Sequence, residues 1–518
     1  MRRWPTQFSS YLASLAGWRA DIAAAILGAL SAAALPPVYA IPVLLISLPG
    51  LLALVDSAKT WVGALRRGFF FGLCHHILGL YWITEAILIE SARYWWLVPL
   101  AVPALSALMA LFIAVPCAGA RLAIPGWHRV MLFAGLWTLA DLARQFIGTG
   151  FPWNPWGSVW AIPGFMGDVM IQPAAWLGAP GLTLVTVLLA ATPALGARWL
   201  AGGGVALVAW IAFGIHRLDQ PIPTAPGVSV VLVQGNVPQT DKWDRTIAAT
   251  VFNRYLALTA EGVAAAKRQA PNQAIAVVWP ETASPYLLGQ DAGARAAIWQ
   301  AATPATAVLA GSIRFDAAGE PFNTLFALNG PDSIAGTYDK WHLVPFGEFP
   351  PSWVPFSVQI VPGHLAFGSG PKTIDVPGLP PFGGLICYEA IYPAQLVDED
   401  HRPDWLVNIT NDAWFGNSTG PRQHLMAARM RAVEEGLPLV RAANTGITAA
   451  FDASGRELGR LQPRVAGQMV INLPGQRGRT PFSRLGLGIP LLLALGACSS
   501  GLGFVKKRDR NRFFGMKI

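Results

Sequence analysis

Uninterrupted apolar runs fill the first 215 residues and return only near the C-terminus, whereas the middle of the chain alternates short apolar and polar stretches. A bilayer core of about 30 Å is crossed by about 20 apolar residues in a helix. By that measure seven spans are predicted before residue 216, at about 21–37, 41–57, 68–88, 95–118, 130–147, 170–196 and 199–215, with an eighth at about 483–504. Pro36, Pro37 and Pro49 mark breaks or short spans, because proline removes a helical hydrogen bond.

Between these blocks the apolar runs shorten, become rich in Val and Ile, and are bounded by Gly, Pro, Asn and Asp. Strands are predicted near 228–235, 274–280, 306–314, 323–329, 336–340, 382–387, 405–410, 439–443, 447–452 and 468–473. Helical patterns fall at about 244–269, 291–302 and 419–435. Strands interleaved with helices argue a layered α/β domain, and several strands are apolar on both faces, as when both sides are covered. Three regions are expected: an N-terminal membrane domain over 1–215, an extramembrane α/β domain over 216–482, and a C-terminal span with a basic tail over 483–518.

Charge gives this layout a direction. Only 13% of residues are charged, against about 25% in ordinary soluble domains. Arg2 and Arg3, then Lys59, Arg66 and Arg67, then Arg121 and Arg129, then Arg198, and finally Lys506, Lys507, Arg508, Arg510 and Arg512 occupy alternate loops. With eight spans, all fall on one side, which the positive-inside rule places in the cytoplasm. Both termini are then cytoplasmic and the α/β domain faces outward. The net charge of +9 needs no nucleic-acid partner. Val38-Tyr39-Ala40 loosely resembles a signal-peptide cleavage site, but cleavage there would spoil the charge alternation.

Cys74, Cys117 and Cys498 fall in predicted spans, so Cys387 stands alone in the α/β domain. A lone thiol in an oxidising compartment is a candidate reactive group. Adjacent His75 and His76 point about 100° apart on a helix and are read as interfacial or bundle-facing. Asp141 and Arg144, at helical spacing in the fifth predicted span, are read as neutralising each other or reaching the interface. Neither a metal nor an organic cofactor is called for.

Cys387 closes the apolar run Phe382-Gly383-Gly384-Leu385-Ile386 and is followed by Tyr388 and Glu389. Glu281 closes the run from Ala274 through Trp279-Pro280, and Lys340 follows Tyr338-Asp339. A carboxylate, an ammonium and a thiol at three strand ends suit acyl transfer through a thioester. The thiolate is the nucleophile, a carboxylate serves as base, and an ammonium or the Tyr388 N–H stabilises the oxyanion. Singly, each of Glu281, Lys340, Glu348 and Glu389 would be read as an ordinary surface charge; it is the set that carries chemistry.

The strings Pro280-Glu281, Tyr338-Asp339-Lys340 with Phe346-Gly347-Glu348, and Ile386-Cys387-Tyr388-Glu389 make this region resemble the nitrilase, or carbon–nitrogen hydrolase, superfamily. Within it, the whole chain resembles the membrane-bound N-acyltransferases that act on lipoproteins. Val233-Gln234-Gly235-Asn236, Lys242-Trp243-Asp244, Asn411-Asp412-Ala413-Trp414-Phe415-Gly416 and Gly150-Phe151-Pro152-Trp153 carry that resemblance.

The resemblance implies an αββα sandwich in the periplasm beside an α-helical transmembrane bundle in the bacterial inner membrane. It implies a catalytic set of Glu281 as base, Lys340 as oxyanion stabiliser and Cys387 as nucleophile. Glu348, Tyr388 and Glu389 would support that set, and Trp243 and Trp414 would contact lipid substrate. The implied reaction takes an acyl chain from a phospholipid onto Cys387 and passes it to the α-amino group of a diacylglyceryl-cysteine. The expected partners are that donor, that acceptor and membrane lipid, the cofactor set is empty, and the protein is expected to be a monomer.

A membrane site suits such substrates, because extracting an acyl chain into water costs about 0.8 kcal/mol per CH₂. Trp95, Trp96, Trp153 and Trp156 lie near span ends and are expected at the interface. The aromatic and proline-rich segment 341–370 is expected to form a mobile, lipid-facing arm. The same catalytic set would also serve a membrane-tethered amidase, although eight spans exceed what a hydrolase of a soluble amide needs. A transporter or binding scaffold fits less well, since intramembrane charges are sparse.

Overall fold

The computed structural model describes residues 4–89, 91–242, 244–351 and 364–503. Trp243, Glu90, the basic tail and the centre of the expected arm (352–363) lie outside the described residues.

The N-terminal part is helical: α1 (Trp4–Ser14), α2 (Trp18–Ala32), α3 (Leu44–Ser57), α4 (Trp61–Leu80), α5 (Ile83–Ile89), α6 (Ser91–Tyr94), α7 (Val98–Ala120), α8 (Trp127–Ala143), α9 (Phe165–Met170), α10 (Ala174–Leu195) and α11 (Ala197–Asp219). Helices lie in all seven regions read as spans, and the eighth region holds α15 (Pro481–Leu485) and α16 (Gly488–Leu502). Length changes the count. Among the described residues, three helices are long and apolar enough to cross a membrane: Ser91–Ala120, α10 and α11. Counting α4 with α5, bent by 51° across a short break, makes four. The 15 residues of α2, the 14 of α3, the 17 of α8 and the 15 of α16 reach only about 21–26 Å at 1.5 Å per residue.

Helix α10 is the hub, packing on α3, α8, α11 and α16 and on α14 (Gly420–Glu435) of the α/β part. It breaks at Gly178, whose φ of 65° is a conformation glycine adopts without steric cost. The N–H of Ala179 freed there donates to Glu434 Oε1 at 2.7 Å. His75 and His76 are buried inside the bundle. Asp141 and Arg144 pair at 2.7 Å, as expected. Trp95 and Trp96 are exposed, but Trp153 and Trp156 are buried and are not interface residues. Trp153 packs on Trp82, and Trp156 on Trp137 and His75, because their loop folds inward between the two parts.

The α/β part holds two six-stranded sheets. The strands are β1 (Val228–Gln234), β2 (Ala274–Val278), β3 (Ala307–Phe315), β4 (Pro321–Leu328), β5 (Ile334–Asp339), β6 (Thr373–Ile374), β7 (Phe382–Ile386), β8 (Trp405–Thr410), β9 (Leu439–Ala443), β10 (Ala449–Phe451), β11 (Glu457–Arg460) and β12 (Gly467–Asn472). The sheet orders are β12-β1-β2-β3-β4-β5 and β11-β10-β9-β8-β7-β6, with β1, β2 and β3 parallel in one and β7, β8 and β9 parallel in the other. All ten expected strands form. The two that were not anticipated, β6 and β11, are edge strands of two and four residues, too short to show a period.

Alternation along each strand explains the layers. Val230 and Leu232 of β1 join Phe382, Ile386, Val407 and Ile409 in a core between the sheets. Val231 and Val233 face the other way, onto α12 (Ala248–Gln269) and α13 (Ala292–Ala302). The outer face of the second sheet is covered by α14 (Gly420–Glu435), and beyond it come α9, α10 and α11. Helix α14 is therefore sandwiched between the sheet and the membrane helices. Fourteen of its residues are buried, including Gln423, His424, Arg429, Arg431, Glu434 and Glu435. Paired polar groups make such burial tolerable: Arg429 Nη2 donates to Asp168 Oδ1 at 2.5 Å and Arg431 Nη2 to Glu434 Oε1 at 3.0 Å.

Candidate active site

Strands β2 and β5 point the same way, since β3, β4 and β5 reverse direction twice. Their C-terminal ends, and those of β7 and β8 in the facing sheet, deliver Glu281, Lys340, Cys387 and Asn411 to one place. Gly311 lets the chain turn there: a Cβ would lie 2.4 Å from the Pro280 carbonyl oxygen and 2.5 Å from the Thr282 nitrogen.

Glu281, Lys340 and Cys387 are all buried, with Lys340 1% exposed. Lys340 Nζ lies 3.3 Å from Glu281 Oε1 and 2.8 Å from Glu348 Oε1. Asn323 Nδ2 donates to the same two oxygens at 2.7 and 3.3 Å, and the Asn411 N–H donates to Glu281 Oε2 at 2.8 Å. The buried Cys387 thiol lies close enough to the Glu281 carboxylate for each to shift the other's protonation. Glu348 is fixed in turn by the Val344 N–H at 2.8 Å.

These contacts set the protonation states. Burial pushes Glu281 up, but Lys340, Lys242, Asn323 and the Cys387 thiol outweigh it and hold the carboxyl below its usual range. Burial likewise opposes the charge on Lys340, and Glu281 with Glu348 more than offsets it, so the ammonium is strengthened. Burial, then the Glu281 charge, pushes the Cys387 thiol up to about 12, against Lys340. At rest the site therefore holds a protonated thiol near an ionised carboxylate.

Cys387 opens a 3-10 turn, Cys387–Ile391, with φ 52°. That left-handed conformation costs a non-glycine residue on the order of 1–3 kcal/mol and persists only where the surroundings enforce it. Glu389 supplies part of the enforcement. Its Oε2 accepts Ile386 N–H at 2.6 Å and the Tyr338 hydroxyl at 2.8 Å; its Oε1 accepts Trp341 and His342 N–H at 2.8 and 3.3 Å. Burial raises Glu389 to about 7, while these donors favour its ionised form. One carboxylate thus splices the Cys387 turn to the chain just after Lys340. The first N–H groups of such a turn lack acceptors within it, which leaves the Tyr388 N–H suited to an oxyanion.

The turn also rests on the helical part. The hydroxyls of Tyr388 and Tyr392 each donate to the Gly150 carbonyl at 2.9 Å. Gln423 Oε1 accepts the indole N–H of Trp82 at 3.1 Å and of Trp153 at 2.8 Å. Trp414 is half-buried in the 3-10 turn Asp412–Phe415; its neighbour Phe415 joins Trp82 and Trp153 in an aromatic cluster. Trp243 lies outside the described residues.

Several groups at the site were not singled out from the sequence. Lys242 Nζ donates to the Glu281 carbonyl at 2.8 Å, and burial lowers it to about 8 against the attraction of Glu281 and Cys387. Its string was noticed, but a lysine beside Trp and Asp reads as a surface charge. Asn323 sits within a strand, where nothing in the pattern marks it. Cys387, Asp412 and His424 have potential metal-binding atoms within 4.8 Å of one another. Arg441, 2.7 Å from Asp412, already neutralises that carboxylate and would repel a cation.

Residues 232–478 match the family model "Carbon-nitrogen hydrolase", and residues 27–192 match "Apolipoprotein N-acyltransferase N-terminal domain". The apolipoprotein N-acyltransferase of Rhodopseudomonas palustris is 36% identical over 511 residues, covering 92% of this chain and 94% of that one. That of Allorhizobium ampelinum is 35% identical over 482 residues, covering 88% and 89%. That of Brucella melitensis biotype 1 is 35% identical over 541 residues, covering 95% and 97%. A membrane-associated helical part, a nitrilase-like α/β part and near full-length similarity lead to one assignment: this chain belongs to the apolipoprotein N-acyltransferase family, within the nitrilase superfamily.

Proposed function

We propose that Cys387 carries the acyl chain between phospholipid and lipoprotein, with Glu281 as the proton carrier and Lys340 as the oxyanion partner. The supporting observation is the buried thiol–carboxylate pair on a turn that is itself bonded to the helical part. In the first step Glu281 takes the proton from sulfur, and sulfur attacks the ester carbonyl of the phospholipid. Lys340 Nζ and the Tyr388 N–H stabilise the oxyanion. The ester C–O bond breaks, the proton passes from Glu281 to the leaving lysophospholipid oxygen, and a thioester remains. In the second step the α-amino nitrogen of a diacylglyceryl-cysteine attacks that thioester. Glu281 accepts the amine proton, the C–S bond breaks, and the proton returns to Cys387. Glu348 and Glu389 hold Lys340 and the nucleophile turn, and Trp243 and Trp414 contact the lipid.

The same reading divides the chain into a membrane domain (1–215), a catalytic domain (216–482) and a C-terminal span with a basic tail (483–518). It places eight spans in the bacterial inner membrane, with the short helices α2, α3, α8 and α16 as crossings extended by their flanks, the catalytic domain in the periplasm, and the chain acting as a monomer.

Purified protein incubated with phospholipid alone is expected to gain a fatty acyl mass on Cys387, lost again as an added diacylated lipopeptide gains an N-acyl chain. Folded protein that acylates neither itself nor the peptide would refute the thioester route. Membrane-impermeant labelling of single cysteines placed in alternate loops tests the eight crossings; labelling of the 121–129 loop from the periplasmic side would overturn them.

A further inference from the structure

Behind the nucleophile turn lies a polar cluster that the reaction above does not use. His424, on α14, is fully buried. Its Nε2 lies 2.9 Å from the carbonyl oxygen of Cys387 and its Nδ1 2.9 Å from Asp412 Oδ1. Asp412 also accepts from Thr410 Oγ1 at 3.0 Å and from Arg441 Nη2 at 2.7 Å. Arg441 Nη1 donates to Asn408 Oδ1 at 2.5 Å, and Asn408 Nδ2 donates to the Leu385 carbonyl of β7 at 3.2 Å. The cluster therefore grips the nucleophile's strand and the nucleophile itself.

Chemistry fixes the proton at one end. A carbonyl oxygen only accepts, so the 2.9 Å contact requires a hydrogen on His424 Nε2. Nδ1 faces Asp412 and, at 3.1 Å, the Arg441 guanidinium, whose positions set the plane of the ring. The ring thus presents one N–H, aimed by two buried charges, to the backbone of a residue held at φ 52°. An unpaired carbonyl in this dry place would be costly, and rotating Cys387 toward an extended φ would break the contact.

We propose that His424 is a positioning residue for acyl transfer: its Nε2–H anchors the Cys387 carbonyl and keeps the thiol aimed at Glu281. Asp412 and Arg441 hold the ring for that purpose. The proposal rests on the reading of Cys387 as the acyl carrier. Releasing the anchor slows formation and breakdown of the acyl-enzyme without altering how lipid is bound.

Two substitutions of similar bulk separate positioning from packing. In His424→Gln the amide nitrogen reaches the place of Nε2, and in His424→Asn it reaches only the place of Nδ1. Both are compared with wild type as full-length protein in phospholipid–detergent micelles, measuring acyl-adduct formation on Cys387 by mass spectrometry at several phospholipid fractions. His424→Gln is expected to keep the maximal rate within about tenfold, and His424→Asn to lose about a hundredfold or more, with half-saturation by phospholipid unchanged in both. Equal rates in the two variants would overturn the proposal, as would a loss in His424→Asn that appears in half-saturation. Failure of both variants to fold would overturn it too, by making His424 a folding residue first. Absence of the adduct in wild type would instead refute the thioester reading.

Discussion

The Asn411 N–H, at the end of β8, donates to Glu281 Oε2 at 2.8 Å, tying the carboxylate of one sheet to a strand end of the other. Glu281, the proposed base, is therefore also a joint between the sheets. Glu281→Gln keeps an oxygen for Asn411 and removes the charge. It is expected to fold and to lose about 10²–10⁴ in the rate of acyl-adduct formation. A variant that acylates Cys387 at the wild-type rate would remove Glu281 from the reaction.

The pH dependence of Cys387 alkylation reads the thiol–carboxylate pair directly. With the thiol raised to about 12 and Glu281 held below its usual range, the pair keeps one protonation state from about pH 5.5 to 8.5. Proton transfer to Glu281 then makes alkylation by iodoacetamide nearly flat over that range. In Glu281→Gln the thiolate must form by direct ionisation, and the rate is expected to rise about tenfold per pH unit. A wild-type slope equal to that of the variant would show that Glu281 takes no proton from sulfur.

Lys340→Met leaves Glu281 and Glu348 facing one another across Asn323, which donates to both. Removing one partner of a buried ion pair costs about 3–5 kcal/mol, so a clear fall in thermal stability at pH 7 is expected. The sign of the pH response also changes. In wild type the depressed Glu281 contributes stability above about pH 4.5, lost as pH falls through its folded value. In the variant one carboxyl is raised above its unfolded value, so stability is regained as pH falls from 7 toward 5. Thermal unfolding curves that keep the same pH dependence in both proteins would contradict the ion-pair account.

Tyr388 and Tyr392 both donate to the Gly150 carbonyl, which is buried. Tyr388→Phe or Tyr392→Phe alone leaves the carbonyl one donor and is expected to cost about 1 kcal/mol. The double variant leaves it none and should cost more than the sum, with a coupling of about 0.5–3 kcal/mol. Additive losses in denaturation would mean that the two hydroxyls act independently.

How much of this was legible depended on what kind of signal each feature leaves. Strands β1 to β5, β7 to β9 and β12 are long enough to show their pattern, and Glu281, Lys340 and Cys387 stand where apolar runs stop. Helix α14 was found as a helix, but its buried charges gave no hint that it lies between a sheet and a membrane bundle, because pairing is a property of space. His424, Asp412, Arg441 and Asn323 act through partners between 12 and 42 residues away in the chain, and no local pattern reports such distances. Several spans were drawn past the helices they hold: 21–37 runs beyond α2, which ends at Ala32, and 130–147 beyond α8, which ends at Ala143, because the apolar run continues into the turn that follows. Trp153 misled for the same reason, since a tryptophan near a span end looks alike whether it meets lipid or, as here, the glutamine of a neighbouring helix.

The Glu434 carboxylate that closes the break in α10 places a constraint on exchange of parts. One helix, which carries Gln423 and His424 as well as Glu434, makes several of the hydrogen bonds across that seam, so the stretch 420–435 serves both halves at once. A chimera that took its helices from one relative and its α/β part from another would need α14, the 148–156 loop and the α10 break to come from a single parent. Joined anywhere else, the two halves would meet across a seam whose donors and acceptors come from different parents.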